Sequence, residues 1–122
     1  MCFNGEPKLM LFDIGLCLES GPHSKTGRRR LFDMNMLPMD EKIITRKPHY
    51  ENLPISIKEF KQMKEYAAIL SKPFRHVRVD FYCISSKIVL GEMTFYHTSA
   101  YNDIRPFEFD IELGSWIDIA GL

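Results

Sequence analysis

Four side chains on two neighbouring segments have the types and spacing for phosphate and metal chemistry. Arg78 and Asp80 stand two residues apart before Ser85-Ser86, and Glu92 and Thr94 stand two apart after it. Two carboxylates brought together repel unless a cation lies between them or one pKa shifts. Magnesium resolves that conflict, since it takes oxygen ligands and sits between one or two carboxylates and the phosphates of a substrate. On this reading Asp80 and Glu92 are metal ligands. Thr94 gives a hydroxyl to metal or phosphate, and the planar fork of Arg78 clamps a phosphate oxygen. The same pattern also suits an ordinary surface hairpin with an Arg–Asp or Arg–Glu pair worth about 0–1 kcal/mol. Alternation alone does not separate the two.

The elements around these residues decide whether they meet. Residues 75–83 and 87–96 are rich in β-branched, aromatic and aliphatic residues and flank Ser85-Ser86, which predicts an antiparallel hairpin. Side chains alternate, so Val77, Val79, Phe81 and Cys83 share one face, and His76, Arg78, Asp80 and Tyr82 the other. A two-residue loop pairs Asp80 with Gly91 and turns Glu92 away. Neither serine favours the positive φ such a loop demands, so the sequence predicts a three-residue loop or a bulge that puts Asp80 and Glu92 on one face. Upstream, Ser56-Ile57-Lys58-Glu59 is a capping-box pattern. Ile57, Phe60, Met63, Ala67 and Leu70 follow at helical spacing, predicting an amphipathic helix over 56–71 ended by Pro73. Asn4-Gly5 is a hairpin signal, with a strand expected over 8–14. Its first arm has only Met1, Cys2 and Phe3, which suggests a domain that begins upstream. A short strand over 28–33 and a last helix after Pro106, capped by Asp103, complete the expected elements.

Composition narrows the partners. The 122 residues carry 16 basic and 16 acidic side chains, so no global field favours nucleic acid or an anionic membrane. No apolar run approaches the roughly 20 residues needed to span a bilayer. Cys2, Cys17 and Cys83 match no zinc or redox spacing and read as free thiols. His23, His49, His76 and His97 form no metal motif. These features point to a soluble, cytoplasmic chain. Arg28-Arg29-Arg30 reads either as a phosphate-binding patch or as a solvated basic edge. The polar stretch Tyr96, His97, Thr98, Ser99, Tyr101 and Asn102 follows the Glu92 strand and suits the lining of an acceptor site.

Longer strings carry a family resemblance. Arg78-Val79-Asp80 and Glu92-Met93-Thr94 resemble the paired strands of ATP-grasp enzymes, which bear Arg-x-Asp and then Glu-x-Asn. Pro73-Phe74, Val77 to Tyr82 and Gly91 to Phe95 resemble the TupA-like (teichuronopeptide biosynthesis) ATP-grasp family. So do the opening Cys2 to Lys8 and the closing Leu113 to Ile117. Thr94 stands where most ATP-grasp enzymes have Asn. The resemblance implies an α+β fold, with an antiparallel sheet and covering helices, as the C-terminal lobe of an ATP-grasp domain truncated at its N-terminus. Residues 1–122 would form one partial domain. It implies ATP and Mg2+ as cofactors, with Asp80, Glu92 and Thr94 on the metal. Arg78 would be catalytic, and Arg78 and Thr94 would contact the nucleotide. The implied activity is amide formation between a carboxylate and an amine in cell-surface polysaccharide or teichuronopeptide synthesis, on a small-molecule, glycan or peptide carboxylate. Since the upstream strands of such a domain are not in this chain, the chain alone is expected to be inactive. The rival expectation is a non-catalytic remnant or a half-domain that needs a partner chain. A third is a protein-binding module using the exposed edge of the first strand, which invites oligomerisation.

Overall fold

The Asn4-Gly5 pair forms the turn that its residue types predict, with φ of 51° and 80°. The computed structural model describes residues 1–14, 28–40, 42, 55–96 and 104–120. The turn joins β1 (Cys2–Phe3) to β2 (Glu6–Pro7), with Cys2 opposite Pro7 and Phe3 opposite Glu6. The strand expected over 8–14 does not prolong this hairpin. Pro7 has no N–H to offer a continuing ladder. The chain instead enters β3 (Leu9–Ile14), which pairs antiparallel with β4 (Arg28–Asp33) in a separate two-stranded sheet.

Nor is the first strand an exposed edge. Cys2 and Phe3 also pair with Val77 and His76 of β5 (His76–Ile84), and β5 pairs with β6 (Lys87–Thr94). The main sheet runs β2-β1-β5-β6, antiparallel throughout, so β1 is held on both sides. The edges of the described sheet are β2 and β6.

The hairpin between β5 and β6 corrects one expectation and bears out another. Its loop has only two residues, with Ile84 opposite Lys87, and both serines take positive φ, 49° and 61°. The physical reason lies on another element. Glu59, in the first turn of the helix over Ile57–Ser71, accepts a hydrogen bond from Cys83 Sγ at 3.6 Å, next to the turn, and its carboxylate is also favoured by the Ser86 hydroxyl. These contacts tie the end of the hairpin, where the serines sit, to the helix. The parity shift comes from a bulge. Phe81 faces Leu90 and Asp80 faces Glu92, leaving Gly91 between them without a partner. Burial selects this register. Val79 faces Met93, and both pack against buried Cys2, Ala67 and Val77. An unbulged ladder would drive the Glu92 carboxylate into that apolar layer, which is costly for an unpaired charge.

Helix α1 (Ile57–Ser71) covers this layer. Both halves of the capping box form: the Glu59 N–H donates to Ser56 Oγ at 3.2 Å, and the Ser56 N–H donates to Glu59 Oε2 at 2.6 Å. Phe60, Met63, Ala67 and Ser71 are buried, a stripe at helical spacing. Ile57, expected on that stripe, is 59% exposed in the first turn. A second core holds Phe3, Leu9, Leu31, Phe109 and Leu113. Helix α2 (Phe107–Ser115) supplies the last two, four residues apart on one face. Phe107 and Ile111 fall on another face and are exposed. Its N-cap is Pro106, with no side-chain cap; Asp103 lies outside the described residues.

Asn4 ties the two ends of the described chain together. Its Nδ2 donates to Trp116 O at 2.6 Å, and the Asp118 N–H donates to its Oδ1 at 3.0 Å. Phe3 meets the Trp116 ring edge-on at 5.3 Å. Asn4→Ala removes both bonds and leaves a non-glycine residue at positive φ. It should lower the unfolding free energy by about 1–3 kcal/mol, with Asn4→Gly recovering part through backbone freedom. An unchanged denaturation midpoint for Asn4→Ala would contradict the latch.

Glu59 makes stability depend on acid. The Ser56 N–H, then the Ser86 and Ser56 hydroxyls, hold its pKa down at about 2 against an ordinary value of 4.5. A carboxyl whose folded pKa is depressed contributes stability above its unfolded pKa and loses it as pH falls through the folded one. Denaturation curves should therefore show the chain losing more stability than Glu59→Gln between pH 4.5 and about 2. Parallel loss in both proteins would remove Glu59 from the account.

Candidate functional site

The sequence brings Arg78, Asp80, Glu92 and Thr94 to one face, and the structure packs them into one hydrogen-bonded cluster. Arg78 and Asp80 are two residues apart on β5 and so point the same way. Across the ladder, Arg78 faces Thr94 and Asp80 faces Glu92. Arg78 Nε donates to Asp80 Oδ1 at 2.8 Å, and its Nη2 donates to Asp80 Oδ2 at 2.8 Å. The same Nη2 donates to Glu92 Oε1 at 2.7 Å and to Thr94 Oγ1 at 3.2 Å. Thr94 Oγ1 in turn donates to Glu92 Oε1 at 2.7 Å. One guanidinium thus lies between two carboxylates and a hydroxyl.

The electrostatics follow from these contacts. The Arg78 side chain is 25% exposed and that of Glu92 is 59% exposed. Burial opposes the charge on Arg78. The hydrogen bond and attraction of Asp80, with the pull of Glu92, outweigh that cost and raise its pKa. Glu92 is held below the usual carboxylate range by the Thr94 hydroxyl first, and then by the charge and hydrogen bond of Arg78. Arg78 and Glu92 therefore each favour their charged form.

The donor set is all oxygen: two carboxylates and a hydroxyl. That chemistry fits a hard cation such as Mg2+, which completes its octahedron with water and phosphate oxygens. Among the described residues no three His, Cys, Asp or Glu side chains gather. A site closed by protein ligands alone is therefore not formed by them. The face is open. An apolar groove of ≈ 290 Å³ between α1 and the hairpin, lined by Tyr66, Ile69, Leu70, Phe81, Ile88 and Leu90, lies across the sheet from the charged cluster.

Other candidates separate from the cluster. Arg29 forms a two-pronged pair with Asp13, both contacts at 2.7 Å. Arg30 forms another with Asp40 at 3.0 and 2.6 Å, and lies over the Phe32 ring. These two arginines brace the β3–β4 sheet. Tyr96 is exposed, and residues 97–102 lie outside the described residues. Cys2 is buried and Cys83 exposed, both as free thiols, while Cys17 lies outside the described residues. No helix among the described residues is long and apolar enough to cross a membrane. Sequence reasoning missed how Glu59 and Gly91 act on the hairpin. Glu59 belonged to a recognisable capping box, but nothing local showed that it reaches Ser86. The change of step was expected near Ser85-Ser86, and the structure puts it further along the second strand at Gly91, the residue there without a side chain.

One family model, TupA-like ATPgrasp, matches residues 1–118. No curated protein and no solved structure matches the chain.

Proposed function

Because the chain belongs to the TupA-like ATP-grasp family, we propose that the Arg78–Asp80–Glu92–Thr94 cluster is the magnesium and phosphate end of an ATP site in an amide-forming, carboxylate–amine ligase. The observation that carries this reading is the convergence of both carboxylates and the Thr94 hydroxyl on one Arg78 nitrogen. Asp80, Glu92 and Thr94 would hold Mg2+, which when bound would neutralise charge on the nucleotide phosphates.

In the proposed reaction a substrate carboxylate oxygen attacks the γ-phosphorus of ATP, and ADP leaves. The resulting acylphosphate is attacked at its carbonyl carbon by an amine. Phosphate departs, the amine loses a proton, and an amide remains. The residues here would do little covalent work. Their part is to orient phosphate oxygens and stabilise the charge of the transferred group. Arg78 suits that task because its fork presents several donors in one plane, and it sits beside the carboxylates that would carry the metal. Cell-surface polysaccharide or teichuronopeptide assembly, carried out in the cytoplasm, is the setting we propose from the family.

Asp80→Asn and Glu92→Gln keep the shape of each side chain and remove its charge. Calorimetry with MgATP should show binding by the parent chain and its loss in either variant. Parent-like binding by both variants would contradict the metal role. Absence of binding by the parent would favour a half-domain completed by a partner chain.

A further inference from the structure

Gly91 occupies the point where the β5–β6 ladder changes step. Phe81 faces Leu90, Asp80 faces Glu92, and Gly91 is the extra residue between them. Its role is spatial. Gly5 is the one described glycine with positive φ, so Gly91 takes a backbone conformation open to other residues. What it supplies is room. A Cβ at this position would stand 2.7 Å from Cε2 of Tyr82 and 3.2 Å from the Asp80 carbonyl oxygen. The Tyr82 ring is exposed and free to swing aside. The carbonyl belongs to the backbone of Asp80 in the cluster, and a Cβ would require it to give by a few tenths of an ångström, which shifts the Asp80 backbone with it.

We infer that Gly91 is the positioning residue of the carboxylate pair: the lack of a side chain in the bulge lets Asp80 close on Glu92 across the ladder. The consequence is specific. Position 91 accepts glycine or no residue at all, but not a side chain. Deleting Gly91 leaves Leu90 followed directly by Glu92. The ladder then runs unbroken, Asp80 still faces Glu92, and Glu92 keeps its face. Gly91→Val does the opposite, adding a branched side chain against the Asp80 carbonyl.

The test compares the full chain, Gly91→Val and the Gly91 deletion by two measurements. Cross-strand NOEs between residues 80 and 92 read the register without reference to any metal. Calorimetry with MgATP reads the site, and this arm rests on the function proposed above. Gly91→Val should lose the 80–92 NOEs and bind MgATP at least about tenfold more weakly. The deletion should keep those NOEs and bind within about threefold of the parent. Parent-like NOEs and affinity in Gly91→Val would overturn the inference, as would loss of the 80–92 NOEs in the deletion. Should Gly91→Val fail to fold, the deletion decides alone by the same NOEs. A parent with the NOEs but no MgATP binding would count against the proposed function and leave the register result standing.

Discussion

Two carboxylates on one sheet face repel unless a cation lies between them or one pKa shifts, and here Arg78 is that cation. Its Nη2 touches both Asp80 and Glu92, and the attraction across such contacts offsets the repulsion between the acids. Everything else in the main sheet holds the three groups at that distance. Val77 and Val79 anchor β5 from beneath, Met93 anchors β6, and α1 closes the layer with Ala67. Because the lower face is apolar, the upper face is left to the charges. The parity of the hairpin is thus a burial decision with an electrostatic result.

The hairpin is also held from its far end and from its flank. Glu59 caps its own helix and accepts a hydrogen bond from Cys83, so the start of α1 is tied to the end of the hairpin. On the opposite side β1 pairs with the first residues of β5, and Asn4 carries that pairing onward to the segment after α2. The charged cluster lies between these two fixings, near the middle of β5. An ion pair on an open surface contributes little by itself. Here the scaffold sets the distance, and the ions occupy positions that burial has already chosen.

Much of this was legible in the sequence because it is local. The capping box, the α1 stripe from Phe60 to Ala67 and the alternation of β5 each depend on spacings a short window contains. The same alternation placed Arg78 with Asp80, and it showed that Glu92 would join them only through a change of step. What escaped were consequences of contacts between distant segments. Serines seemed poor turn residues, and the contact of Glu59 with the end of the hairpin, more than twenty positions away, was out of view. β1 looked like a cut edge because its partner, β5, lies more than seventy residues on. Nothing in the short α2 segment said which face its neighbours would cover. Phe109 and Leu113 won that face by meeting Phe3, Leu9 and Leu31.

The account stands on the claim that the upper face of the β5–β6 hairpin takes a divalent cation together with nucleotide phosphates. Paramagnetic broadening tests it most directly, with Mn2+ in place of Mg2+ and ATP present, read residue by residue in amide NMR spectra. The account predicts that signals of Arg78, Asp80, Glu92 and Thr94 broaden first, while those of Tyr66, Ile69 and Leu70 across the sheet persist. Broadening centred on any other part of the chain, with those four signals intact, would contradict it.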